Sequence, residues 1–273
     1  MRPDGYHELA SLMQCISLHD TVTCTRTEGV DIVLDAEARS CGCPPADNIV
    51  IGAARALARR RPAEAGAHIA LTKRVPVGAG LGGGSSDAAA TLLALARLWE
   101  SEISHTELAR LAAELGADVP FFLGGPAAFC TGMGERVREI EPRHYELVLW
   151  NPGIALSTAD VYRCFDTRPR PHRTADECLA AYESGDPYAL AAQVWNNLAI
   201  AAGECLPELA EMRRQCCDAG ALAAWVSGSG PTVVGLCADD GAACACATRL
   251  RSQARGAAMV FHCHTLGTAV GER

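Results

Sequence analysis

The chain has 273 residues, 49% of them hydrophobic, with 14 cysteines and a formal net charge of −8. That is enough apolar sequence for two fused lobes or one large domain with a full core, while the acidic balance argues against general nucleic-acid binding, which needs a basic face. No apolar run reaches membrane-spanning length and no signal-like stretch opens the sequence, so the expected location is cytoplasmic.

The cysteines form no Cys-x-x-Cys pair; their close sets are Cys41-Gly-Cys43, Cys216-Cys217 and Cys244-x-Cys246. Others, such as Cys24, Cys130 and Cys237, fall in strand-like runs, where a free thiol packs as a small hydrophobe. The set therefore reads as structural thiols of a reducing compartment.

In chain order, a turn signal at Pro3-Asp4-Gly5 precedes Tyr6 and His7, which composition alone reads as a frayed terminus. Alternating segments near residues 9–17, 21–27 and 30–35 predict three strands of a meander. Asp47 is predicted to cap a helix running to about Arg60, with Asn48 an ordinary residue at its start and Arg59-Arg60-Arg61 complementing the dipole at its end. Ile69, Leu71, Lys73 and Val75 then alternate with Ala70, Thr72 and Arg74, a period-two strand that Pro76 stops. On that pattern alone Lys73 is a solvated strand lysine.

The run that follows, Pro76-Val-Gly-Ala-Gly-Leu-Gly-Gly-Gly-Ser-Ser-Asp-Ala88, is the most informative stretch of the chain. Its glycines permit positive φ and let a ligand approach bare backbone, and the apolar helix from Ala88 to Trp99, capped by Ser85 or Ser86, points unpaired N–H groups at the same spot. The combination is an anion site, and phosphate is its usual occupant. A P-loop is excluded because Gly84 is followed by Ser85 and not by lysine. A dinucleotide fingerprint is matched by Gly78-x-Gly80-x-x-Gly83, but it needs a following strand with an acidic residue. Ser104-His-Thr-Glu107 opens another helix with a capping box instead.

Further on, Asp118-Val-Pro reads as a helix N-cap. Residues 127–131, 136–140 and 145–150 predict strands, and Thr158 is expected to cap a helix carrying Tyr162. Helical stretches are expected at 174–184, 187–201 and 207–219, then a hairpin of strands 221–226 and 232–237 around Gly228-Ser229-Gly230. A helix over 241–255 and a strand over 260–265 end the chain.

The motif Pro-x-x-x-Gly-Leu-Gly-x-x-Ser-Ser-x-Ala resembles the ATP loop of the GHMP small-molecule kinases. The extra glycine in Gly82-Gly83-Gly84, with Asp4-Gly5-Tyr6-His7, is similar to a branch whose alcohol substrate carries a cytosine base. Gly116-Ala-Asp118-Val-Pro-Phe121 resembles the run that holds the family's catalytic aspartate, and Gly228-Ser-Gly230 resembles its third motif. The resemblance implies an α+β, two-lobed GHMP kinase fold, with a ribosomal protein S5 domain 2-like lobe at 1–142 and a ferredoxin-like lobe at 143–273, as monomer or homodimer. It implies ATP-dependent phosphorylation of the 2-hydroxyl of a methylerythritol carrying a cytidine diphosphate group, in non-mevalonate isoprenoid precursor synthesis.

By the same resemblance, Pro76, Val77, Gly78, Ala79, Gly80, Leu81, Gly82, Gly83, Gly84, Ser85 and Ser86 hold the ATP phosphates, with Asn48 at the adenine and Lys73 a further nucleotide contact. Mg²⁺ bridges phosphate oxygens, with Ser85 or Ser86 in reach; no metal ligands are assigned. Tyr6, His7 and Tyr162 select cytosine, with Thr158 beside them, and Gly228, Ser229 and Gly230 line the site. Asp118 takes the proton that the hydroxyl loses as it attacks the γ-phosphorus.

The family places a strand carrying Pro-Ala-Lys-x-Asn before Tyr6, and those residues do not occur in this sequence. The expectation is a fold lacking its first strand, through a start assigned too late or a truncated form, less active and less soluble than a chain extended upstream. Two other readings stand beside this one: a homoserine or mevalonate kinase of the same family, and a nucleotide-binding protein with weak turnover.

Overall fold

The computed structural model describes residues 7–36, 43–60, 66–167 and 175–267. Tyr6, the Pro3-Asp4-Gly5 turn, Cys41, Arg61 and the connection at 168–174 lie outside the described residues.

The first three strands form where the alternation predicts, β1 (Leu9–Gln14), β2 (Thr21–Arg26) and β3 (Ile32–Ala36), but they are not a meander. β2 and β3 flank β4 (Ala67–Thr72), β2 antiparallel to it and β3 parallel. A parallel pair needs a crossover, and α1 (Ile49–Ala58) supplies it between β3 and β4. β1 joins a separate antiparallel sheet in the order β1-β5-β6, with β5 (Ala127–Gly132) and β6 (Arg136–Glu139).

Against β4 pack α1, α2 (Gly83–Leu98) and α3 (His105–Leu115), burying Val50, Leu57, Ile69, Leu92, Leu95 and Trp99 completely. The cap of α1 is Asn48 and not Asp47, since the Asn48 Oδ1 accepts from the Val50 N–H at 3.0 Å. Asp47 belongs to a preceding 3-10 turn. Ser104 caps α3 as predicted, accepting from the Glu107 N–H.

The second lobe is a four-stranded antiparallel sheet of β7 (Glu146–Asn151), β8 (Ala223–Val226), β9 (Val233–Cys237) and β10 (Met259–His264). Its order, β10-β7-β9-β8, is the fourth-first-third-second arrangement of a ferredoxin-like unit. Around it lie α4 (Thr158–Phe165), α5 (Ala175–Glu183), α6 (Pro187–Gln193), α7 (Ala199–Cys205), α8 (Glu208–Asp218) and α9 (Asp240–Gln253). The single helix expected over 187–201 is two, because Asn196 leaves the helix and donates from Nδ2 to the carbonyls of Val226 and Gly228, each at 2.7 Å. The cap of α4 is Ser157, not Thr158.

One apolar cluster belongs to both lobes: Leu12 and Ala127 pack with Tyr145, Leu147, Leu149, Val234 and Leu236. The thiols follow the sequence reading. All cysteines among the described residues are free, and burial pushes Cys15 and Cys263 up to about 12, far from the reactive thiolate form.

Candidate active site

β4 ends at Thr72, earlier than its alternation suggests, because Lys73 turns into the protein. Its ammonium lies between Asp20 and Asp87, 2.7 Å from the Asp87 carboxylate and in direct hydrogen bond with Asp20. The three side chains are 8%, 2% and 5% exposed, so Lys73 is not a solvated strand lysine. Burial opposes the ammonium charge, but the hydrogen bonds that the ammonium donates to both carboxylates, with their negative charges, outweigh it and raise the Lys73 pKa. Burial lifts Asp87 to about 6 against the pull of Lys73. The Asp20 Oδ1 also accepts the N–H groups of Arg74 and Val75, at 2.5 and 2.9 Å, fixing the backbone where it enters the glycine loop.

In that loop Gly78, Gly80 and Gly82 alternate with side-chain-bearing residues at φ of +66°, +72° and +68°. Gly80 has a second constraint: a Cβ there would lie 2.5 Å from the Gly230 carbonyl. The contact is reinforced by the Ser227 hydroxyl donating to the Gly80 carbonyl at 2.8 Å and the Thr232 N–H donating to that of Ala79. The loop is thus clasped by the second lobe's 227–232 turn, itself held by Asn196 and by the Asn151 amide on the Thr232 hydroxyl at 2.9 Å.

Neither Ser85 nor Ser86 caps α2. The helix starts at Gly83 and the left-handed Gly82 precedes it, so the N-cap residue offers no side-chain hydrogen bond to the first N–H groups. Ser86 instead donates its hydroxyl to the Gly83 carbonyl at 2.8 Å. The first-turn amides therefore stay open toward the loop, the arrangement that suits a phosphate. The start of α1 is close by, with the Ile49 side chain 3.8 Å from where a Gly84 Cβ would be. Asn48 accordingly neighbours the loop while its Oδ1 is engaged as a cap.

Asp118 sits in the turn between α3 and the 3-10 segment Pro120–Leu123, which has no side-chain cap. Its predicted N-cap role is absent, because the chain turns again at Val119 before that segment begins. Burial raises the Asp118 pKa above the ordinary carboxylate value. Its charge in turn adds to the burial that raises Tyr162 and Cys130, so both lie within electrostatic reach of it. Phe122, four residues on, packs 2.9 Å from where a Gly82 Cβ would be, joining the Asp118 segment to the glycine loop.

Across from Asp118, Tyr162 of α4 stacks on the His7 ring, with centroids 4.8 Å apart and planes at 28°. His7 is anchored by the Asp166 carboxylate, 2.6 Å from its Nε2. Thr158 and Ser229 share a hydroxyl hydrogen bond at 2.8 Å, joining α4 to the 227–232 turn. A chain of contacts thus links segments 7, 76–86, 118–122, 158–162 and 227–230 where the lobes meet. Asp20, Asp87, Asn151, Asp166 and Asn196 were not anticipated. Only Asp87, adjoining the serine pair, carries a visible signal.

Residues 48–126 match the GHMP kinases N terminal domain and residues 180–256 match GHMP kinases C terminal. The 4-diphosphocytidyl-2-C-methyl-D-erythritol kinase of Pelotomaculum thermopropionicum is 43% identical over 241 residues, covering 87% of this chain and 83% of that protein. The kinase of the same name from Bacillus pumilus is 40% identical over 238 residues, 86% of this chain and 81% of its own. A crystal structure of 4-(cytidine 5'-diphospho)-2C-methyl-D-erythritol kinase superposes with a TM-score of 0.80 at 34% identity, covering 97% of this chain and 93% of that one. With both halves of the family pattern present and relatives of one name matching most of its length, this chain belongs to the GHMP kinases, in the group of the 4-diphosphocytidyl-2-C-methyl-D-erythritol kinases.

Proposed function

We propose that this chain transfers the γ-phosphoryl group of ATP to the 2-hydroxyl of 4-diphosphocytidyl-2-C-methyl-D-erythritol, a cytoplasmic step toward isoprenoid precursors. The observation that supports the reading is that Phe122 packs against Gly82 at the start of α2, whose N-terminus has no side-chain cap, and so ties that helix to the segment holding the desolvated Asp118 carboxylate. In this reading the amides of the loop from Pro76 to Ser86 receive the ATP phosphates, with Asn48 near the adenine. Lys73 acts from behind, holding the loop's entry through Asp20 and the first turn of α2 through Asp87.

Asp118 accepts the hydroxyl proton. A carboxylate whose pKa is lifted by burial is a stronger base than a solvated one, which suits an acceptor that becomes acidic only as the bond to phosphorus forms. Tyr162 and His7 offer the ring faces on which cytosine stacks. Thr158 and Ser229 close the acceptor side, flanked by Gly228 and Gly230. The oxygens of Ser85, Ser86 and Asp118 are hard donors of the kind Mg²⁺ takes, and the ion supplies neutralisation of phosphate charge when bound. We divide the lobes at 142–143, between β6 and β7, and infer a monomer or homodimer.

The test is incubation with Mg-ATP and, separately, the cytidine compound, homoserine and mevalonate, with Asp118→Asn alongside. Product from the cytidine compound alone, falling about 10²- to 10⁴-fold in the variant, is the expected result. Product from another alcohol, or tight ATP binding with no product, overturns it.

A further inference from the structure

The second lobe carries a cluster of metal-ligating side chains that phosphoryl transfer does not use. Glu146 opens β7 opposite His264 of β10, and His262 is two residues before His264, so all three project from one face of the sheet. That face is covered by α9, whose Ala243, Ala247 and Leu250 pack with Val148 and Cys237. The first residue of α9, Asp240, comes over His262. Asp239 does the capping, accepting from the Ala242 N–H, so Asp240 is not needed for it.

The distances also fit an ion. The His262 Nε2 makes a long hydrogen-bond contact of 3.3 Å with the Glu146 Oε2 and lies 3.5 Å from the Asp240 Oδ1, both longer than the roughly 2.9–3.0 Å at which N–H···O bonds are commonest. Zinc binds imidazole nitrogen and carboxylate oxygen at roughly 2.0–2.1 Å, and two such ligands at the tetrahedral angle lie about 3.3–3.4 Å apart. The separations from His262 are therefore close to two edges of a zinc tetrahedron, and the three ligand atoms all lie within 4.8 Å of one another. The other oxygen of Glu146 receives the His144 Nε2 at 2.8 Å, the outer contact that orients a ligating carboxylate. Glu146 is only 13% exposed, yet both its oxygens face imidazoles and, among the described residues, neither contacts a lysine or arginine.

We propose that Glu146, His262 and Asp240 form a binding site for one zinc-type divalent transition metal, with His144 as an outer partner and water at the fourth position. An imidazole among three protein ligands argues against magnesium or calcium, which take oxygen shells. The cluster is at the opposite end of β7 and β9 from the 227–232 turn, so the ion ties edge strand β10 to β7 and α9 and leaves the candidate active site untouched.

The test is a Co²⁺ titration of the metal-free full chain, followed by visible absorption, with melting measured separately in Zn²⁺. The expected result is one Co²⁺ per chain with four-coordinate d–d bands and no thiolate charge-transfer band, which separates the site from the free cysteines. Zinc at about 100 times its dissociation constant should raise Tm by about 5 °C. Both signals should disappear in His262→Gln and in the exposed-site variant Asp240→Asn, and His144→Gln should weaken binding about 10- to 100-fold. No Co²⁺ bound at one equivalent, a thiolate band, or binding that survives either ligand substitution overturns the proposal.

Discussion

Asp87 and Asp118 both lose water to the protein near the glycine loop, and both have raised pKa values because of it, yet among the described residues only Asp87 is paired with a cation. Asp87 shares Lys73 with Asp20, and the three hold the strand, the loop and the helix in one geometry. Asp118 has no such partner and caps nothing. A desolvated carboxylate is costly unless compensated, so the difference sets a carboxylate held in an ion-pair network apart from the one we propose as the proton acceptor.

The comparison breaks most sharply in paired measurements. Asp118→Asn should reduce kcat by about 10²- to 10⁴-fold with Tm unchanged or slightly raised, since the substitution removes a half-buried charge that no cation among the described residues offsets. Equal losses of rate and stability would mean that Asp118 is structural. Lys73→Met should do the reverse, costing about 3–5 kcal/mol in urea unfolding because it leaves two carboxylates buried together. A stable Lys73→Met protein would refute the reading of that triad as a support.

On the acceptor side, Tyr162→Ala removes a stacking face worth about 1–3 kcal/mol per base. Steady-state kinetics should show KM for the cytidine compound rising while KM for ATP holds. The smallest effect is a displacement of the pH profile. Asp118 is active when ionised and burial raises its pKa, so kcat/KM should fall tenfold per unit on the acid side from a pH above the ordinary aspartate value of about 3.9. An acid limb at the ordinary value would show that the carboxylate is solvated in the working enzyme.

Much of this was legible locally. The glycine run, the Ser104 cap and the strand alternations depend on one stretch of backbone at a time, and each formed close to where it was predicted. Some of the readings that failed were choices between neighbours. Asp47 or Asn48, Thr158 or Ser157, and Ser85 or Ser86 against no cap at all are separated by a residue or two of register, which local preference does not resolve.

The sequence by itself determined that a stretch of bare backbone lies between β4 and α2, because glycine accepts the left-handed conformation found at Gly78, Gly80 and Gly82 without the strain a side chain brings. It also marked Asp118, the 158–162 segment and the 228–230 turn as candidates. Only the tertiary structure decided that these meet, that β3 runs parallel to β4 while β1 leaves for another sheet, and that Lys73 is buried between Asp20 and Asp87. Asp20 is 53 residues from Lys73 in the chain. A pairing at that range leaves no periodic trace, because its energy comes from shared burial that exists only once the strands and α2 have packed.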